Sequence, residues 1–439
     1  MLKRKMYDRL LKWKNDKREE CLLIKGARQV GKTYLVRQFG ANEYESFIEI
    51  NFHMQSNLKV IFEGELSSEE IYKRITANIP GVKFIPGKTL LFLDEIQKCS
   101  NARTALKFLA QDKRFDVIAS GSLLGLAYGQ DADKEVTEVD SIPVGYEKPL
   151  MMYSLDFEEF LWAYGYGTET IEYLRSFYAS KEKIPAEINE KYDTILREYL
   201  VVGGMPEAVA DYIENKDFGK VQEIQDKILS SYADDISQHA KGSEKVKVRK
   251  CYDSIPWQLA RENKKFKYSD VESKATSRKF GGSVHWLHDA NMAYICCNTS
   301  TPMLPLKAYE KNNEFKLYIN DTGLLMALFG FETKRALLNG KLVGAAKSGI
   351  YENFAAETLI KNGYSIHYYK PDDNSELEFV IEKNGEIVPI EVKAGNTATK
   401  SLNRFIEEFK PSVAYKLISG NIGINESKFT LPHYLAMFI

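Results

Sequence analysis

The chain has 439 residues, 44% hydrophobic and 28% charged, with 60 Lys and Arg against 61 Asp and Glu for a formal net charge of −1. This is enough chain for roughly three domains with packed cores. The balanced charge excludes a global basic field for nonspecific nucleic-acid binding, though a local patch is not excluded.

No segment approaches the ~20 apolar residues of a membrane span. The basic, amphipathic stretch 1–17 lacks the apolar region of a signal peptide. The five cysteines, Cys21, Cys99, Cys251, Cys296 and Cys297, show no CxxC spacing. Reduced thiols and a cytoplasmic location are expected.

The apolar run 21–24 reads as a strand, and residues 34–39 read as the start of a helix. Between them lies GARQVGKT at 26–33, a full match to GxxxxGK[ST]. In this context the glycines let backbone N–H groups close around a phosphate, and the new helix N-terminus adds partial positive charge. Gly26, Arg28, Gln29, Val30, Gly31, Lys32, Thr33 and Tyr34 are the expected ATP contacts. Lys32 should reach the β/γ-phosphates, and the Thr33 hydroxyl should ligate Mg²⁺.

Residues 47–52 read as a second strand and 68–78 as a helix. The run TLLFLDE at 89–95 suits a strand buried on both faces that ends in two acids. Asp94 is expected in the Mg²⁺ shell, with Glu95 polarising the attacking water. A helix over 102–110 and a strand over 117–119 follow, and Ser120 or Ser122 is placed to sense the γ-phosphate. The stretch 125–140 reads as a glycine- and acid-rich mobile loop, and 148–153 as a last core strand. Alternating strands and helices imply a parallel sheet covered on both faces.

Ser154 reads as the cap of a helix from Asp156, and the chain is helical to about 240, broken at Gly203, Gly204 and Pro206. Three helices and a hairpin over 243–335 have the layout of a winged helix. Its third helix carries Arg278, Lys279, His285 and His288. It could read nucleic acid, but two basic residues favour a protein-interaction role. His285 and His288 lack the further ligands a metal needs.

Residues 346–439 read as a third α/β unit with a hairpin turn at Lys383, Asn384 and Gly385. Strand alternation puts Glu376 with Glu378, and Glu391 with Lys393. Glu352, Glu378, Glu391 and Lys393 could converge as in a restriction-endonuclease-like core, which binds Mg²⁺ to cleave phosphodiesters. The same residues could equally form cross-strand ion pairs.

With these motifs assembled, the chain resembles, nearly end to end, the prokaryotic AAA-type ATP-binding proteins that carry a C-terminal domain of unknown function. The resemblance rests on GARQVGKT at 26–33, FLDEIQ at 92–97, ASGSLLG at 119–125, IPVGYE at 142–147 and LDFEEFLWA at 155–163. It continues with GGMPEAV at 203–209, YINDTGLL at 318–325, YENFAAETL at 351–359 and PIEVKAG at 389–395.

The resemblance implies ATP binding and hydrolysis, a winged-helix region and a nuclease-like C-terminal domain. Lys32, Thr33, Asp94 and Glu95 carry over directly. Where the family has Asp before Phe379, this chain has the longer Glu378. Arg103 and Arg114 are candidate arginine fingers by position only, with surface ion pairs as the alternative.

The expected fold is α/β: a P-loop core over 1–153, a helical subdomain over 154–242, a winged-helix-like region over 243–335 and a nuclease-like domain over 346–439. Three functions fit: an ATPase that moves its C-terminal modules, an ATP-regulated Mg²⁺-dependent nuclease, or a nucleotide-gated switch. The partner would be DNA or protein, engaged through the winged helix and the C-terminal domain, with no membrane contact and with oligomers allowed.

Overall fold

The computed structural model describes residues 2–16, 20–123, 126, 145–240, 242–373, 375–395 and 399–439. Apart from Leu126, the loop expected over 125–140 lies outside the described residues, as does part of the motif at 142–147. The chain divides into two compact units, Lys3–Tyr153 and Ser154–Ile439, the latter grouped with Met1–Leu2.

The first unit runs α1 (Lys5–Asn15), β1 (Cys21–Gly26), α2 (Lys32–Glu43), β2 (Ser46–Asn51), α3 (Ser68–Asn78), β3 (Thr89–Asp94), α4 (Ser100–Asp112), β4 (Asp116–Ser122) and β5 (Glu147–Met151). Its five strands are parallel, in the order β2-β3-β4-β1-β5. All six residues of β3 are buried, which explains their apolar run: helices cover both faces of the sheet. On one face Ile48, Ile50, Leu91 and Leu93 share a core with Ile71 and Ile75 of α3 and Leu106 and Leu109 of α4. Each such side chain contributes about 1.5–3 kcal/mol by leaving water. Asn51 stands opposite Asp94, and Gly26 opposite Ser122, so the carboxyl ends of the strands form one edge.

Among the described residues of the second unit, eight helices precede the first strand of its sheet. The helix Phe157–Ala163 is capped by Asp156 rather than by Ser154. Asp156 accepts from the Glu159 N–H at 2.8 Å and Glu159 reaches back to the Asp156 N–H at 3.2 Å, a reciprocal capping box. Ser154 instead accepts from Lys361 at 2.9 Å.

Helices Glu244–Leu259, Tyr268–Val271 and Ser277–Asp289 precede the antiparallel hairpin of β6 (Ala293–Thr299) and β7 (Glu310–Ile319). Strands β8 (His367–Asp372), β9 (Ser375–Lys383), β10 (Glu386–Lys393), β11 (Ala414–Ile418), β12 (Gly423–Asn425) and β13 (Lys428–Pro432) follow. Because β6 also pairs in parallel with β8, the hairpin continues one mixed sheet of eight strands, β12-β13-β11-β10-β9-β8-β6-β7. Asn384 (φ 53°) and Gly385 (φ 79°) make the two-residue turn between β9 and β10, where left-handed backbone matches the strand twist.

Three sequence motifs interlock inside this unit. Asn353 accepts from the Ile319 N–H at 2.7 Å and donates to the Ile319 carbonyl at 3.1 Å. Glu357 accepts from the Thr322 N–H and hydroxyl at 2.8 and 2.7 Å, and Asp321 accepts from the Gly204 N–H at 2.8 Å. Buried polar groups are thereby paired, as they must be in a low-dielectric interior. The molecule is an α/β protein with a parallel P-loop-type sheet and a C-terminal α/β region built on a mixed sheet.

Candidate functional site

The loop between β1 and α2 is shaped by two left-handed residues, Gln29 (φ 63°) and Gly31 (φ 92°). The second requires glycine for an unstrained turn into the helix. Val30 is buried, so its side chain anchors the loop and leaves its backbone for ligand contact. Arg4, just before α1, donates to the Val30 carbonyl at 3.0 Å and to the Tyr153 carbonyl at 2.6 Å. Lys32 lies over the loop and donates to the Gly26 and Ala27 carbonyls at 3.1 and 2.8 Å. Arg28 is half-buried, while Gln29 and Tyr34 are exposed at the mouth.

Asp94 is the hub of the edge. It is 1% exposed and receives the Thr33 hydroxyl at 3.0 Å, the Asn51 amide at 2.8 Å and the Ser120 hydroxyl. Burial raises its pKa. Hydrogen bonds from Ser120 and Thr33 oppose that rise, and the neighbouring Glu95 charge adds to it. Glu95 adopts φ 55°, a left-handed conformation uncommon for a non-glycine residue. Its carboxylate accepts from Gln97 Nε2 at 2.5 Å, and the same nitrogen lies 3.4 Å from Ser122 Oγ.

Lys32, Thr33, Asp94, Glu95, Ser120 and Ser122 therefore share one edge of the sheet. The Ser120 proton is directed at Asp94. Thr33 and Asp94 offer adjacent hard oxygen donors, the set that Mg²⁺ takes alongside phosphate oxygens and water.

Arg103 pairs with Glu147 at 3.1 Å, and Arg114 pairs with Asp112 and Glu69 at 2.6 and 3.0 Å. Both guanidiniums are engaged in ion pairs within their own unit. Asn51 and Gln97 belong to the site but were not singled out from sequence. The only signals were that Asn51 ends a strand and that Gln97 closes FLDEIQ.

The acids of the second unit converge, but each meets a lysine. Lys393 lies 2.8 Å from both Glu378 and Glu391. Glu352 is 3.0 Å from Lys264 and 3.6 Å from Lys316, and Lys316 also reaches Glu376 at 2.6 Å. Although burial opposes it, Lys264 and Lys316 pull the Glu352 pKa down to about 2. Burial first, and then the Glu391 charge, push Glu378 up to about 7 against the pull of Lys393. Among the described residues no group of three or more His, Cys, Asp or Glu is arranged to hold a metal ion. Each of these carboxylates is paired with a lysine ammonium group. His285 and His288 are exposed on their helix.

Residues 18–161 match the family model of an AAA domain. Residues 193–335 and 347–433 match two domains of unknown function, DUF8612 and DUF4143. Curated relatives include the uncharacterized proteins Rv2008c of Mycobacterium tuberculosis and Mb2031c of Mycobacterium bovis, each 33% identical over 89 residues. The alignment spans 20% of this chain and 19% of either relative, so the chain aligns with about a fifth of their length.

Among solved structures, the Walker-type ATPase paby2304 of Pyrococcus abyssi aligns at 16% identity and TM-score 0.44, over 75% of this chain and 96% of that one. AMPPCP-bound DnaA from Aquifex aeolicus aligns at 13% identity and TM-score 0.29, over 65% of this chain and 88% of that one. No described helix is long and apolar enough to cross a membrane. The match over residues 18–161, a stretch that contains GARQVGKT and LDE, supports a P-loop ATPase of the AAA type with ATP binding and hydrolysis as its general chemistry.

Proposed function

We propose that the unit Lys3–Tyr153 hydrolyses Mg²⁺-ATP and that the nucleotide state repositions modules in the rest of the chain. Lys32 neutralises the β/γ-phosphates, Thr33 and Asp94 hold Mg²⁺, and Glu95 orients and polarises the attacking water. Backbone groups of Gly26, Arg28, Gln29, Val30 and Gly31, with Tyr34 at the mouth, complete the nucleotide contacts. Ser120 steadies Asp94, and Ser122 stands where the γ-phosphate can be sensed. The observation that carries this reading is the Thr33–Asp94 contact of 3.0 Å, which brings two distant motifs to one edge.

The modules are a helical segment over 154–242, a winged-helix-like region over 243–335 and a nuclease-like fold over 346–439. Lysine pairing of Glu352, Glu378 and Glu391 favours a binding role for the last module over phosphodiester cleavage. A protein or DNA partner would then be engaged without being cut. The five unpaired cysteines fit a reducing, cytoplasmic setting.

The test is a turnover assay with a binding control. Lys32→Ala is expected to abolish ATP binding. Glu95→Gln should retain binding while turnover falls on the order of 100-fold. Wild-type turnover in Glu95→Gln would remove the catalytic assignment. Stimulation of the wild type by nucleic acid, or by a protein partner, identifies the class of partner.

A further inference from the structure

We propose that Gln97 is a positioning residue for ATP hydrolysis, fixing the Glu95 carboxylate and tying it to the end of β4. This rests on the reading that the N-terminal unit hydrolyses ATP through Glu95. The geometry begins in the tight turn Ile96–Lys98. The Lys98 N–H donates to the Glu95 carbonyl at 2.9 Å, and the Cys99 N–H to the Ile96 carbonyl at 2.9 Å. Ile96 and Cys99 are buried on either side of Gln97, so the turn is anchored by the core.

The Gln97 amide is thereby folded back between two strand ends. Nε2 donates to Glu95 at 2.5 Å and lies 3.4 Å from Ser122 Oγ. Only the amide nitrogen can donate to a carboxylate, so this contact fixes which way the amide faces. Gln97 Oε1 points the other way and is buried with no hydrogen-bond partner among the described residues. A Cβ on Gly121 would sit 2.6 Å from that oxygen, so β4 leaves room for the amide because residue 121 has no side chain.

An extended glutamate side chain has several rotamers, and only some aim it at a water in line with the γ-phosphate. A single donor that holds it beside the γ-phosphate-facing strand shortens that search, which is how positioning residues raise a rate. A positioning residue acts through its partner, so its effect should disappear when that partner is removed.

The experiment measures Mg²⁺-ATP affinity, multiple- and single-turnover hydrolysis and thermal stability for wild type, Gln97→Ala, Glu95→Gln and the double variant. Gln97→Ala is expected to bind Mg²⁺-ATP within about twofold of wild type while kcat falls on the order of 10- to 100-fold. The double variant should be no slower than Glu95→Gln alone.

Gly121→Ala is an independent perturbation. Its Cβ would meet the movable ends of Gln97 and Leu126, at 2.6 and 3.0 Å, rather than backbone. It should lower kcat in the same direction while the protein stays folded. The proposal is overturned if Gln97→Ala turns over like wild type, or if it slows the Glu95→Gln background by its full single-variant factor. A wild-type protein that does not hydrolyse ATP removes the ATPase reading and this proposal together. An active wild type with an indifferent Gln97→Ala removes only the proposal.

Discussion

The Asn51 amide donates to Asp94 Oδ2 at 2.8 Å across two neighbouring parallel strands whose last residues stand in register. Its own oxygen accepts from the His53 and Met54 N–H groups at 3.0 and 2.9 Å. The amide therefore cannot flip without losing all three bonds, and it holds Asp94 toward Thr33. A hydrogen bond to a charged group contributes about 1.5–3 kcal/mol. Asn51→Ala is accordingly expected to weaken ATP affinity about tenfold when Mg²⁺ is present and much less when it is chelated. Calorimetric titration under both conditions checks this. Equal losses with and without Mg²⁺ would show that Asn51 supports the loop generally instead of the metal ligand.

Local signals made half of this site legible. GARQVGKT is contiguous, its turn needs glycine at Gly31, and the buried run of β3 announces the strand that delivers Asp94 and Glu95. Asn51 and Gln97 were not legible because their roles depend on strand register and on which turn packs against β4. A single sequence does not display either relationship. The same limit explains the second constellation. Alternation along β10 correctly put Glu391 and Lys393 on one face, but nothing local marked Lys264 and Lys316 as partners of Glu352. Those lysines lie far away in sequence: Lys264 arrives on the loop after the helix Glu244–Leu259 and Lys316 on the edge strand β7. The cap at Asp156 was missed for a smaller reason: Ser154 is also a good cap, and only Asp156 has Glu159 three residues on to complete the reciprocal pair.

Stability should carry the imprint of the buried carboxylates with opposite signs. Glu352 is held down at about 2, below its ordinary value of 4.5, so its contribution is present above pH 4.5 and lost as pH falls toward 2. Glu378 is pushed up to about 7, so its contribution is present below pH 4.5 and lost as pH rises through 7. Buried His433, depressed to about 3 by loss of solvent, opposes Glu378 because its contribution is lost as pH falls from 6.5 toward 3. The readout is therefore a difference. The stability of wild type relative to Glu378→Gln should decline as pH rises from about 4.5 to 7, by at most about 1.4 kcal/mol per pH unit, and level off above that. Urea denaturation at several pH values measures it, and a difference independent of pH would contradict the raised Glu378 value.

The lysine pairing also predicts how the C-terminal unit responds to metal. Ligand that binds only the folded state raises the melting temperature, by an amount that grows with the logarithm of its concentration relative to Kd. In the Lys32→Ala background, with the nucleotide site disabled, millimolar Mg²⁺ or Mn²⁺ should leave the melting temperature unchanged. Glu391→Gln in that background should respond no differently. Stabilisation by Mn²⁺ that disappears in Glu391→Gln would show that a metal displaces Lys393. Lys393→Ala should destabilise by about 3–5 kcal/mol, because it leaves two buried carboxylates without their shared counter-charge.

Two glycines fix how the helical part of the second unit meets the segment after β7. A Cβ on Gly204 would lie 1.9 Å from the Leu155 carbonyl oxygen, and one on Gly323 would lie 2.5 Å from the Gly203 nitrogen. These obstacles are backbone atoms, which cannot swing aside as a side-chain tip does. The Gly204 N–H is also committed to Asp321, and the Leu155 N–H donates to the Gly204 carbonyl at 2.7 Å, so displacement breaks buried hydrogen bonds as well. Gly204→Ala and Gly323→Ala should each destabilise the unit by about 3 kcal/mol or more, combining overpacking with orphaned polar groups. Gly340→Ala is the control. Gly340 has φ 67° and open space where its Cβ would go, so only the left-handed backbone penalty of roughly 1 kcal/mol applies. Chemical denaturation of the three variants should separate the two classes. A Gly204→Ala protein as stable as Gly340→Ala would mean that Leu155 and Gly204 are not in contact in solution.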